Sequence, residues 1–140
     1  MYAPFRGQAA LVGSVRRRLS TPGFSPLAFE SRERWEEWLA EHHADAREVW
    51  VKLAKKGRGI PSVSYEDAVE VALCYGWIDG QARSLDDDFW TQRLTPRALR
   101  SKWSRSNRDR ATKLIETGRM KPAGLREVER AKADGRWDAA

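Results

Sequence analysis

The residues best suited to chemistry lie between positions 74 and 120. A Cys-Tyr-Gly-Trp-Ile-Asp-Gly run is followed there by Thr95-Pro96-Arg97, Arg100-Ser101-Lys102-Trp103-Ser104 and Asn107. Arginine offers a planar fork of donors that matches a phosphate or carboxylate, and an indole beside it can stack on a ring or a base. Arg93, Arg97, Arg100 and Lys102, with Trp103, Ser104 and Asn107, therefore form a candidate anion- or partner-binding group. Ser104 stands where a helix should begin, and the free N–H groups of such an end favour an anion. Asp79 is the candidate acid or base. It falls between Ile78 and Gly80 in what should be a half-buried strand, where a carboxylate is costly unless paired. Arg93 and Arg97 are the partners expected for it.

Each of these residues also has a structural reading. Asp79 as a lock between strand and basic loop ranks ahead of Asp79 as a catalyst, and Gly80 after it suggests a bulge or a close approach. Trp103 reads first as packing beneath the last helices, whereas Arg97 and Arg100 are evenly placed between solvated and binding roles. Asn107 lies on an apolar stripe, where an amide needs partners, and pinning the 101–104 loop is its first reading. Cys74, the one cysteine, reads as a small core residue. Neither a zinc spacing nor a phosphate-loop, dinucleotide-binding or hydrolase-elbow signature is present, so no cofactor and no metal are expected.

The elements that must position these groups follow from periodicity and punctuation. Ser31 should cap a helix over about 32–43, with Trp35, Trp38, Leu39 and His42 at helical spacing. Residues 48–56 alternate as a strand, with Val49, Val51 and Leu53 on one face, ending at Gly57. Ser64-Tyr65-Glu66-Asp67 opens a helix that Gly76 stops, apolar around most of its circumference and hence central. Residues 77–85 and 89–94 read as a hairpin about the turn Asp86-Asp87-Asp88. Ser104 caps a helix to Thr117, and Pro122 opens a last one, with Leu125 and Val128 as core contacts, that Gly135 ends. These elements predict an α+β fold, one compact domain in which a small antiparallel sheet is packed by about four helices.

Seven tryptophans in 140 residues explain how a chain with 33% charged residues builds a core, since each buries roughly 200 Å². Residues 1–29 read as a flexible basic leader and 30–140 as the domain. The leader places Arg16-Arg17-Arg18 after its short apolar piece, the reverse of an export signal. No apolar run approaches the roughly 18 residues of a membrane span. With a single cysteine, a cytoplasmic protein is expected. The net charge of +6 is unevenly spread: residues 30–92 are acidic overall, and residues 93–121 hold ten Lys/Arg against two acids. That basic block can steer an anionic partner or pair internally with the acidic half.

A series of ordered phrases gives a further handle: Glu48-Val49-Trp50, Lys55-Lys56-Gly57, Ser64-Tyr65-Glu66-Asp67-Ala68, residues 72–80, Thr95-Pro96-Arg97, Ser101-Lys102-Trp103-Ser104, Asn107, Gly118-Arg119-Met120, Pro122-Ala123-Gly124 and Gly135-Arg136-Trp137. Together they resemble the YdeI/OmpD-associated family over residues 29–140. The resemblance implies a bacterial stress or bacteriocin-protection protein, associated with an outer-membrane porin and with defence against cationic peptides. This chain departs from that picture in being basic. Three functions follow in rank order. The first is a binding module using an Arg/Trp-lined site for an anionic ligand or a protein partner. The second is a nucleic-acid-binding module using residues 93–121, with salt-dependent affinity. The third is a small enzyme with Asp79 as acid or base and Arg97 holding an anionic substrate.

Overall fold

The computed structural model describes residues 24–140. Eight elements follow in order: β1 (Leu27–Ala28), α1 (Arg32–His42), β2 (Val49–Ala54), α2 (Tyr65–Cys74), β3 (Trp77–Ser84), β4 (Phe89–Pro96), α3 (Arg105–Glu116) and α4 (Pro122–Ala133). The fold is α+β. Its sheet has the order β1-β2-β4-β3, with the β2–β4 and β4–β3 pairs antiparallel. The short β1 adds a parallel pairing, Leu27 with Val51, so the sheet is mixed. This strand falls inside the stretch read as leader, and the carbonyl of Phe29 accepts from Val63 N at 2.9 Å. Two residues carry too little alternation to announce a strand. Residues 1–23, which include the basic triplet, lie outside the described residues.

The helix starts follow from side-chain capping. Ser31, Ser64 and Ser104 each accept a backbone N–H from three residues on, at 3.3, 3.1 and 3.1 Å. Trp35 and Leu39 of α1 are fully buried, and the Trp35 indole donates to Ala68 O at 3.0 Å, tying α1 to α2. Arg32 ties the same pair from outside, reaching Asp67 at 2.9 Å and Glu70 at 3.1 Å. As its composition predicted, α2 is central: six of its ten residues, from Ala68 to Cys74, are buried. Val49, Val51 and Leu53 of β2 and Leu94 of β4 join it in the same buried core.

The last helix departs from expectation in one contact. Leu125 is exposed, and α4 instead buries Gly124, Val128 and Ala131. Gly124 sits directly on the C-terminal turn of α2, where a Cβ would come within 2.5 Å of Leu73 O and of Met120 Sδ. The small residue brings the two backbones together, which turns Leu125 to the outside. Nearby, Gly76 has φ +77°, and a Cβ on it would meet Ala123 O at 2.9 Å. The α2–α4 junction is thus a backbone-on-backbone contact at both glycines.

Candidate functional site

The hairpin runs longer than its sequence pattern predicted, and that extension builds the site. β4 continues to Pro96, which pairs with Trp77. Arg97 N then donates to Gly76 O at 3.0 Å, fixing the start of the basic loop against the α2–β3 turn. Arg97 is only 8% exposed. Its guanidinium lies 3.7 Å from the centre of the Trp103 ring, a cation–π contact away from water. Nη1 makes one long bond, 3.5 Å, to Lys102 O. Nε and Nη2 are buried without a hydrogen-bond partner. These two atoms form the side edge of the guanidinium, the edge that takes an oxyanion through two parallel N–H bonds.

The same neighbourhood holds other unsatisfied groups. Trp103 Nε1, Arg136 Nη2 and Glu127 Oε1 are each buried with no partner. Arg136 is fixed by its other nitrogens: Nη1 donates to Ser101 O at 2.7 Å, and Nε reaches Asp134 at 2.9 Å. Glu127 is held through Oε2 by Arg130 at 2.8 Å. Trp137, beside Arg136, packs edge-to-face on Trp103 at 5.0 Å. Burial pushes the Arg97 guanidinium down to about 10; the Glu127 carboxylate opposes that shift, Arg136 reinforces it and Asp79 opposes it. Buried polar groups are nearly always paired in folded proteins. Unpartnered donors from three side chains beside one unpartnered acceptor mark this spot out from the rest of the described core.

The other candidate residues have different places. Asp79 accepts from the Tyr65 hydroxyl at 2.8 Å, so its close partner is a phenol and not an arginine. Arg93 pairs with Glu48 at 2.7 Å. Asp79 stands opposite Leu94 in the ladder, and successive residues of a strand face opposite sides, so Arg93 points to the other face. The expected bulge is present: the register shifts between Asp79 and Ala82, and Gln92 Nε2 donates to Gly80 O at 2.8 Å. Arg100 and Lys102 are exposed, so Arg100 does not share a surface with the buried Arg97. The Ser104 hydroxyl is used as the α3 cap. Asn107 is buried, and its Oδ1 accepts from Arg110 at 2.9 Å; Arg110 in turn reaches Glu66 at 2.8 Å. Its side chain therefore orients Arg110, which links α3 to α2, and does not pin the 101–104 loop. That loop is held by Ser101 Oγ, which accepts from Ala98 N at 3.0 Å.

Sequence reading missed Glu127, Arg136 and Tyr65 as site residues. Arg136 and Tyr65 lie within the ordered phrases, which was signal enough to raise them. Glu127 carried no signal, because an i,i+3 partner such as Arg130 is ordinary on a helix surface. The basic block is partly neutralised from the acidic half through Arg93–Glu48 and Arg110–Glu66. Arg100, Lys102, Arg105, Lys113, Arg119 and Lys121 remain exposed, with no ion pair among the described residues.

Burial pushes the Cys74 thiol up to about 11 and, with the Asp79 hydrogen bond second, the Tyr65 phenol up to about 12. An acid whose folded pKa is raised contributes stability below its unfolded pKa and loses it as pH climbs through the folded one. Cys74 therefore withdraws stability from about pH 9 to 11, and Tyr65 from about pH 10 to 12. Arg97, depressed to about 10, works in the opposite sense above that pH. The Cys74 share of the fall begins lowest, near pH 9, ahead of the raised phenols Tyr65 and Tyr75. Urea midpoints from pH 9 to 10 should drop more in the parent than in Cys74→Ala; an equal drop in both would assign the loss to another group.

A family described as a domain of unknown function (DUF8412) matches residues 27–127. The chain belongs to that family. No curated protein and no solved structure matches it. Among the described residues, no helix is long and apolar enough to cross a membrane.

Proposed function

We propose that the protein is a binding module whose buried Arg97–Trp103 site takes the oxyanion of a ligand or partner, with Arg136 as the second cation. The observation that carries this reading is the side edge of Arg97, Nε and Nη2, buried and unpartnered. A guanidinium kept from water without hydrogen bonds costs stability, and an oxyanion bound there recovers that cost. The resemblance to the YdeI/OmpD-associated family supports a bacterial stress or bacteriocin-protection setting for this module, and the single cysteine supports the cytoplasm. Binding ranks above catalysis because the Asp79 carboxylate is already engaged by Tyr65.

Calorimetric titration with phosphate, sulfate and acetate tests the reading. The parent should bind at least one of them and lose it in Arg97→Lys, which keeps the charge but not the fork. Arg100→Ala should bind as the parent does. Equal losses in the two variants would mean diffuse surface attraction. Strongly salt-dependent binding to short DNA or RNA, lost with Arg100 and Lys102, would instead favour the nucleic-acid function.

A further inference from the structure

The unpartnered acceptor says more about the ligand than the donors do. Glu127 and Arg97 sense each other electrostatically, yet no hydrogen bond joins them. Glu127 is turned toward Arg130, which Oε2 meets at 2.8 Å, and its Cγ packs over Gly76, 3.3 Å from where a side chain there would project. A bare oxyanion on the Arg97 edge would bring a second negative charge toward the Glu127 carboxylate that Arg97 already senses. Like charges brought together in a buried site are costly. A ligand that also brings a cationic donor removes the conflict and satisfies Oε1.

We propose that the ligand is a small zwitterion of the α-amino acid class, its carboxylate on the Nε/Nη2 edge of Arg97 and its ammonium on Glu127 Oε1. This rests on the oxyanion reading above and specifies it. The carboxylate takes the two parallel N–H bonds of the guanidinium, and Trp103 Nε1 and Arg136 Nη2 supply further donors to its lone pairs. The ammonium, with three donors, bonds the carboxylate oxygen that Arg130 leaves unused. The C-terminal turn, residues 134–140, covers this side of the site, since Arg136 and Trp137 lie against Ser101 and Trp103. That turn is tied to the body by Arg136 to Ser101 O, by Arg108 to Trp137 O at 3.1 Å and by Trp137 N to Ala131 O at 3.1 Å, with Trp137 packed against the core. The side chain of the amino acid points toward this turn and is the part least specified.

The test compares L-alanine with propionate, the same carboxylate without the amine, by calorimetry and by tryptophan fluorescence. L-alanine should bind at least about ten-fold more tightly, as a charge-assisted bond to a buried carboxylate requires. Glu127→Gln should bring the two ligands level, and Arg130→Gln, which removes the ion pair but keeps the acceptor, should preserve the preference. Equal affinities for the two ligands in the parent would overturn the zwitterion while leaving an oxyanion site in place. Binding of neither ligand, nor of phosphate or sulfate, would remove both readings. A preference that survives Glu127→Gln, in a variant whose melting transition shows it folded, would also overturn the assignment.

Discussion

Gly124→Ala is expected to destabilise the protein by about 3 kcal/mol, near the upper end of what overpacking costs. The sign runs against helix propensity, since alanine in a helix interior is better than glycine by about 1 kcal/mol. Sterics decide it. The added methyl would come within 2.5 Å of Leu73 O and of Met120 Sδ, and it would also run into Cys74 O. Met120 can swing away, but the two carbonyls belong to the last turn of the central helix and cannot. Either α4 lifts off α2 or the α2 terminus deforms. Lifting also weakens the bond from Lys121 N to Cys74 O, now 3.1 Å. A melting temperature lower by about 10 °C is the corresponding readout for a domain of this size. Gly118→Ala is the control: Gly118 has φ +74° but nothing within 4 Å of a Cβ, so it bears only the conformational penalty, about 1 kcal/mol. If Gly124→Ala melted with the parent, the close α2–α4 approach would be wrong. So would the placement of Glu127, which α4 carries toward Arg97.

How much of this was legible in the sequence depended on how local the cause was. The caps at Ser31, Ser64 and Ser104 act over three residues, so their helices were placed to within a residue or two. The bulge after Asp79 was foreshadowed by Gly80 in a strand. Partners across the fold were not legible. Arg93 and Arg97 looked equivalent as partners of Asp79, yet strand alternation sends Arg93 to Glu48 and burial sends Arg97 to Trp103. Arg100 looked like the natural companion of Arg97 because it is three residues away. The second guanidinium of the site comes instead from Arg136, thirty-nine positions along the chain, and only the packing of the C-terminal turn brings it there. Leu125 was misjudged for a related reason: an apolar residue next to Gly124 looks like core until the glycine is seen to be the contact itself.

The second large effect is a gain in stability on removing the residue that matters most. Arg97→Met should raise the melting temperature, with a gain of about 1–3 kcal/mol, while abolishing oxyanion binding. Methionine has a similar length and flexibility and can lie on the Trp103 face as the guanidinium does. It needs no hydrogen bonds, so the two unpartnered N–H groups of Arg97 disappear along with the buried charge. Against this stand the loss of the cation–π contact with Trp103 and of one long bond to Lys102 O. A cation–π pair is worth about 2 kcal/mol when desolvated, and a 3.5 Å bond much less, whereas desolvating an unpaired ion costs several kcal/mol. Glu127 and Asp79 offset part of that cost from a distance, which is why the expected gain is modest. Arg97→Ala would not serve, because it would add a cavity to the comparison. Thermal melts of the parent and Arg97→Met, each with and without the best-binding anion, separate the two roles of this residue. A higher melting point with no ligand-induced shift is the result for a residue held in the core at a cost because it binds. A clear fall in melting point would make Arg97 a structural tie between the hairpin and the C-terminal turn, and the search for a ligand would then leave this spot.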